Sequence, residues 1–501
     1  MASDKPVRWA PGVQTQPPRK TALQNACVLL TGATGFIGSL VLEQMLRTYP
    51  DVARVHVTIR AKRGEDPQKR LNKLLEESPV FDLLRQGRSW GELHPKVSAV
   101  HADISLPMCG LTADAQAQLK RQVTHVIHCA ASLSLHLHIH EALQQTYFPT
   151  KGLLQLAEGM PNMRAFCFVS TAYVNANLPK GSTVEEKVYP LHDHGVPVDH
   201  ATMVQHLMSL NLTAAEAEST RLLQHFGYLN TYLLSKTLTE RMVLEHHQAP
   251  FPVCIVRPAL CGAVAGLPCP GYIGNTSGAT AAILAVATGI ATFTGYRPES
   301  RLPLVPGDVV AALVLAATAA TADQSQGTQQ VYHACSSAEN PITLQVFYQH
   351  IVAYFSKSPW LGKKVHKRQF AWVSDKQFAR RAAVKDVYYR VTCYGLRLSG
   401  QKRLAQKLML GWKTWKDVGS SSMDHNLLFL CDGAKKLSEG RLSLHHPDLC
   451  RPTEHVVAGQ QQFCRQQHSK PWDGAAAGTC GHSRHSRQCD CTCDLIGALG
   501  S

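Results

Sequence analysis

No stretch of this 501-residue chain reaches the run of about 20 apolar residues needed to cross a bilayer. The nearest candidates, "AAILAVATGIATF" (281–293) and "VVAALVLAATAATA" (309–322), are short and rich in alanine and threonine, so buried helices are expected there. A secretory signal peptide is not expected either. The sixteen cysteines are therefore expected as reduced thiols in an intracellular protein. Zinc-finger, RNA-recognition and basic-zipper signatures are absent, so a nucleic-acid partner would rest on charge alone and none is expected. Carboxylates are scarce: 36 face 51 lysines and arginines, a formal net charge of +15. Such a surface attracts phosphorylated cofactors and substrates or anionic lipid headgroups. The excess concentrates at 60–73 and 356–407.

What is present is an alternation. Short continuous apolar runs, as buried parallel strands show, occur at "CVLL" (27–30), "RVHVTI" (54–59), "KVSAV" (96–100), "THVIHC" (124–129), "AFCFVS" (165–170) and "VCIVR" (253–257), with helical or loop stretches between them. Six strands alternating with helices predict an α/β fold, a doubly wound parallel Rossmann sheet with a substrate-binding subdomain and a smaller helix-rich C-terminal domain. The expected layout is a disordered leader (1–24), a dinucleotide-binding domain (25–339), the C-terminal domain (340–465) and a disordered tail (466–501). "DPQKRLNKLLEESPVFDLLRQ" is an added helical excursion. The segment 178–213 has proline, glycine and histidine without firm periodicity and is expected as a long loop or lid.

"TGATGFIG" places Gly32, Gly35 and Gly38 between the first strand and a helix. Gly32 permits the tight turn, Gly35 lets a pyrophosphate approach, and Gly38 lets helix pack on sheet. The free N–H groups of the helix start, through Thr34, Phe36 and Ile37, point at the phosphates. The end of the second strand chooses the cofactor. A carboxylate there holds a ribose 2′-hydroxyl, whereas "TIRAKR" supplies Arg60, Lys62 and Arg63, which suits the 2′-phosphate of NADPH. Asp103 and Ile104 of "HADIS" follow strand three beside the adenine, and Ala130 of "HCAAS" ends strand four, where small residues let the cofactor cross the sheet.

In "GYLNTYLLSK" Tyr232 and Lys236 lie four apart, on one helix face. A nicotinamide fold needs a proton donor beside the carbonyl being reduced, and a nearby ammonium is expected to lower a phenol's pKa towards the working pH. Lysine also has the reach to hold the nicotinamide ribose. Ser170 and Thr171 of "FVSTAY" supply further hydroxyls from strand five, and no cysteine is expected beside this constellation.

The ordered "TGATGFIG", "STAYVN" and "YLLSK" resemble the extended short-chain dehydrogenase/reductases. With "IRAKRGEDPQKRLNKLL", "ADISLPMCGLT", "IVRPA", "LPLVPGDVV" and "YHACSSAENPIT", residues 26–345 resemble more narrowly the fatty acyl-CoA reductases, with their male-sterility-type NAD(P)-binding domain. The resemblance implies NADPH-dependent reduction of a long-chain acyl-CoA, or acyl-carrier protein, to the primary alcohol through the aldehyde. It assigns Tyr232 and Thr171 to the carbonyl oxygen. It points to the endoplasmic reticulum or alternatively a plastid, and the amphiphilic substrate together with the basic C-terminal segment leads to an expected peripheral contact with an anionic membrane surface. A related sterol or nucleotide-sugar dehydrogenase and a non-catalytic cofactor sensor are the rivals.

Four positions depart from the family pattern: Pro149, expected to kink its helix, Thr146 in place of asparagine, Leu229 in place of proline, and "LSLHLHIHE" without the Phe-Asp pair. The row His136, His138 and His140, and the Cys/His-rich tail with "CDCTC", fit no defensible metal pattern, so no metal is expected. Asp308 is expected to be structural, at a helix start.

Overall fold

In the computed structural model the described residues are 23–437, except 62–63, 88, 136, 246–249, 276–277, 325–328, 339–340, 358–369, 419–426 and 433–436. Lys62, Arg63, His136, most of the leader, and the tail with its "CDCTC" lie outside them.

Seven strands form one parallel sheet: β1 (Cys27–Thr31), β2 (Arg54–Ile59), β3 (Val97–His101), β4 (His125–His128), β5 (Ala165–Val169), β6 (Val253–Pro258) and β7 (Gln329–Ala334). Their spatial order is β7-β6-β5-β4-β1-β2-β3. The chain reverses its direction of travel between β1 and β4, which opens a crevice at their carboxyl ends. Strands β1 and β6 are buried throughout, as their uninterrupted apolar runs require. The seventh strand went unanticipated because "QQVYHA" is half polar, which an edge position tolerates.

On one face α1 (Phe36–Thr48) packs against a late, alanine-rich helix, joining Leu40 and Val41 to Val310 and Val314. The excursion after β2 contains α2 (Pro67–Glu77), capped by Asp66, and α3 (Ala113–Gln122) follows β3. The opposite face is covered by α4 (Ile139–Glu158), which runs as one helix through Pro149 rather than kinking or restarting there.

Residues 178–213 are not a long loop. Thr183–Val184 pairs with Leu428–Phe429, and a two-residue turn joins His192–Asp193 to Val196–Pro197. Two helices follow, α5 (His200–Ser209) and α6 (Leu212–Phe226). Asp199 caps the first, Asn211 caps the second, and Gly227 ends it at φ +76°. Their apolar residues Val204, Leu207, Leu222 and Phe226 recur at helical spacing and are buried in the core shared with α4 and α7 (Thr231–Glu245). The histidines of α5, and the prolines of the stretch ahead of it, obscured that period. His138 and His140 meet the backbone carbonyls of Leu212 and Leu207, 3.0 and 2.7 Å away, and so staple α4 to this insertion.

Further along the chain lie α8 (Ala279–Ala287), α9 (Gly307–Ala322), α10 (Leu344–Lys357), α11 (Asp375–Leu398) and α12 (Lys402–Val418). Helices α8, α10, α11 and α12 share a separate apolar cluster around Phe347, Tyr348, Trp412 and Trp415. Among the described residues no helix is long and apolar enough to cross a membrane.

Candidate active site

The crevice begins at the glycine turn. Thr31 pairs with His128 across β1 and β4, so the turn after β1 is pressed against the chain leaving β4. Gly32 has φ +76°, and a Cβ there would lie 2.7 Å from the backbone nitrogen of Ala130. At Gly38 a Cβ would fall 2.2 Å from the Gly32 carbonyl oxygen. Both glycines are therefore required by the fold as well as by any ligand. Gly35 precedes α1 with no side-chain cap, Thr34 and Gly35 are exposed, and Ile37 is half-buried. The first N–H groups of α1 thus face the crevice mouth without a side-chain partner, as a phosphate requires.

A buried network holds this turn. The Ala130 N–H donates to Thr31 Oγ1 (3.2 Å), which lies 2.7 Å from His128 Nδ1. His128 Nε2 meets Thr150 Oγ1 at 3.1 Å, and that hydroxyl donates to the Thr146 carbonyl (2.8 Å). Because Thr150 spends its proton on Thr146, His128 must donate from Nε2 and accept at Nδ1. Burial, and then the Lys236 charge, push its pKa down to about 3, so it stays neutral. Thr146, one of the departures from the family pattern, ends this network.

Arg60 is exposed at the end of β2, and its charge reaches Asp103. Burial raises the Asp103 pKa, but two hydrogen bonds from Ser105 (3.0 and 2.6 Å), then Arg60 and His101, outweigh it and hold the carboxyl below the usual range. Ile104, beside it, is half-buried.

The next segments bring the hydroxyls and the amine together. Thr171, just beyond β5, brings its hydroxyl beside the phenol of Tyr232 on α7 while donating to the Pro258 carbonyl at 3.4 Å. Asn230 caps that helix, accepting from the Leu233 N–H at 3.0 Å. Lys236, one turn on, is buried; it donates to the Val169 carbonyl at 2.9 Å and lies 4.5 Å from the centre of the Phe168 ring. Ser170 Oγ is buried and has no hydrogen-bond partner among the described residues, an orphaned group beside the triad.

The electrostatics correct the sequence-based expectation. Tyr232 is not made acidic by Lys236. Burial pushes the phenol up, neighbouring Cys261 pushes it further, and only the nearby Thr171 hydroxyl opposes them. Lys236 instead pays its own desolvation: burial pulls it down to about 8 against the attraction of Glu240 and Cys129. The cysteine expectation also fails. Cys261 acts on Tyr232 and Cys129 on Lys236, proximities created by β6 and β4 that no local motif announces. Burial raises the Cys261 thiol to about 12 and the Cys129 thiol higher still, so both are protonated near neutrality.

Deeper still, Glu240, one turn beyond Lys236, forms a bidentate pair with Arg257 on β6 at 2.9 and 2.6 Å, both side chains 1% exposed. Arg257 also donates to the Lys187 carbonyl (2.8 Å) and Arg241 to that of Tyr189 (2.7 Å), tying the insertion to α7. Asp308 binds the backbone N–H groups of Ala265 and Gly266 at 3.0 and 2.9 Å, so it fastens a loop rather than capping its own helix. Apart from the crevice, Asp193, His194 and His225 cluster at the turn of the insertion, with Asp193 Oδ1 2.8 Å from His225 Nε2; Arg221 already faces that carboxylate.

Residues 30–314 match the family described as Male sterility protein, an NAD-binding family. The chain belongs to that family. Its curated relatives include fatty acyl-CoA reductase 1 of Pongo abelii, 30% identical over 66% of this chain and 62% of the relative. Fatty acyl-CoA reductase 2 of Bos taurus is 29% identical over 66% and 62%, and that of Homo sapiens 28% over 76% and 72%. The chain thus spans about 62% of the length of the first two of these. In fold, the chain is similar to the terminal R domain of the myxalamid biosynthetic pathway, with TM-score 0.58 and 17% identity over 91% of this chain and 94% of that one. It is likewise similar to a reductase domain of a nonribosomal peptide synthetase from Mycobacterium tuberculosis, with TM-score 0.56 and 18% identity over the same shares. The family match ends inside α9, short of β7 and of α10 to α12.

Proposed function

We propose that this chain reduces long-chain fatty acyl-CoA with NADPH, through the aldehyde, to the primary fatty alcohol. The observation that carries the proposal is the placement of the Thr171 hydroxyl beside the phenol of Tyr232, one helical turn from buried Lys236 and beside the crevice framed by Gly32 and Ala130. The names of the curated relatives support the acyl-CoA substrate.

The residues fit a dinucleotide: Gly32, Gly35 and Gly38 leave room at the turn, Arg60 offers a cation for a 2′-phosphate, Asp103 an acceptor, and Ser170 an unspent hydroxyl. When bound, the reduced cofactor supplies the hydride for each of the two reductions. Tyr232, kept neutral by burial, and Thr171 donate hydrogen bonds to the thioester oxygen as it gains charge. The C–S bond then breaks, the sulfur leaving as a thiolate that takes its proton from solvent, and the oxygen of the resulting aldehyde meets the same donors. Tyr232 then yields its proton to an alkoxide more basic than a phenolate, and Lys236 compensates the charge left behind. A protonated Cys261 is a poor nucleophile, so the acyl group stays on its carrier until reduced.

The test is NADPH consumption by the purified chain with palmitoyl-CoA, palmitoyl-acyl carrier protein, a sterol and a nucleotide sugar, with chromatographic identification of products. The proposal expects two NADPH consumed for each alcohol formed from the acyl-CoA. Turnover confined to sterol or sugar, or none that depends on an acyl thioester, rejects it; product halted at aldehyde, or preference for the carrier protein, selects the narrower alternatives.

A further inference from the structure

Helix α11 has two apolar faces, and the fold uses only one. Phe378, Ala382, Tyr389 and Cys393 are buried against α12 and Phe293. Lys385 turns inward with them, donating to the Ile290 carbonyl at 2.7 Å. At 100° per residue these side chains define one side of the helix. The opposite side carries Val384, Val387, Tyr388, Val391, Tyr394 and Leu398, all between 61% and 72% exposed. Six large apolar side chains in helical register, over about 20 Å of one helix, are far more than the scattered exposure normal on a soluble surface.

The charges beside this stripe identify what it meets. Between Lys376 and Arg403 the chain has eight lysines and arginines and a single carboxylate, Asp386. Asp386 is already engaged by Lys416 at 3.0 Å and by the Trp412 indole, on the inner side of the helix. Along α11 the outer side therefore keeps no carboxylate; Arg380 is exposed on it, and Arg381, Arg390 and Arg397 are exposed along its two edges, Arg381 also lying over the Phe293 ring and Arg390 acting on Asp386. An apolar ridge rimmed by cations is complementary to a bilayer surface with anionic headgroups: the valines, tyrosines and leucine enter the acyl boundary while the guanidiniums remain among the phosphates. A protein partner would need a matching acidic groove, and self-association would place these arginines against their copies.

We propose that α11 docks this protein on the surface of an anionic membrane, lying in the interface through Val384, Val387, Tyr388, Val391, Tyr394 and Leu398. This names the partner surface for an enzyme acting on an amphiphilic substrate, but it stands on the helix alone and survives if the reductase proposal fails.

The experiment is flotation of the full chain with vesicles of phosphatidylcholine alone and with 30% phosphatidylglycerol (a proportion chosen as roughly that of an anionic leaflet). Two variants accompany it, V387D/V391D and R390E/R397E, with circular dichroism and melting temperature as fold controls and light scattering for mass. The expected result is binding to the anionic vesicles that falls by about tenfold or more in each variant and in high salt, with weak binding to phosphatidylcholine. Wild-type protein that floats with neither vesicle, variants that float like wild type, or binding indifferent to lipid charge overturns the proposal. So does a wild-type dimer that V387D/V391D splits while leaving flotation unchanged, which would assign the stripe to a second copy. Because binding is read directly, none of these outcomes depends on which substrate is reduced.

Discussion

Replacing Tyr232 with phenylalanine removes one oxygen from a half-buried ring and leaves the rest of α7 in place. In the native site that oxygen faces the Thr171 hydroxyl, which itself donates to the Pro258 carbonyl at 3.4 Å. The cost in stability is that of one partly unsatisfied hydroxyl, about 1 kcal/mol, a small shift in melting temperature. The cost in catalysis is larger. A donor aimed at a developing oxyanion is worth on the order of 3 kcal/mol, so kcat for acyl-CoA reduction should fall roughly a hundredfold to a thousandfold while the Kd for NADPH barely moves. Thr171→Val should lose less, because Tyr232 remains. Since the two hydroxyls are neighbours that serve one oxyanion, the double variant should lose less than the product of the single losses. Single-turnover rates at saturating NADPH and calorimetric cofactor titration separate the effects. A Y232F variant that keeps its rate within threefold of wild type, or losses in Y232F and T171V that simply multiply, would refute the reasoning.

The other predictions are briefer. Lys236 is depressed to about 8 when folded, below an ordinary lysine near 10.5, so the unfolded chain binds more protons between those values; stability should rise with pH across that window, and K236M should flatten the rise in melting temperature. G38A forces a Cβ to within 2.2 Å of a backbone oxygen, requiring a shift of roughly 1 Å and a cost of about 1–3 kcal/mol, measured as a lower melting temperature with weakened NADPH binding. E240Q leaves Arg257 charged and buried, so denaturant unfolding should show a loss of about 3–5 kcal/mol, and retention of full stability would mean the pair is not closed. R60E should weaken NADPH binding more than NADH binding, by direct titration of both; an equal change would place the 2′-phosphate elsewhere.

Much of the scaffold was legible because its signals are local. "CVLL" followed by "TGATGFIG" contains a strand, its turn and the start of a helix within a dozen residues, and the Tyr–Lys spacing is a property of one helix. The interior of the insertion was not legible, because capped helices rich in histidine lack a clean apolar period. Nor was β7, whose edge position tolerates the polar residues that hid it. The continuity of α4 through Pro149 likewise depends on its packing rather than its composition.

By itself the sequence determined the parallel sheet, the glycine turn, the cation after β2 and the residues offered for chemistry, since each is written in short-range periodicity or spacing. Tertiary structure alone decided their electrostatic character. It set Lys236 against the Val169 carbonyl, put Cys261 beside Tyr232, and joined Arg257 to Glu240. A pKa is governed by what surrounds a group in space and how much water remains, and residues far apart in the chain supply both.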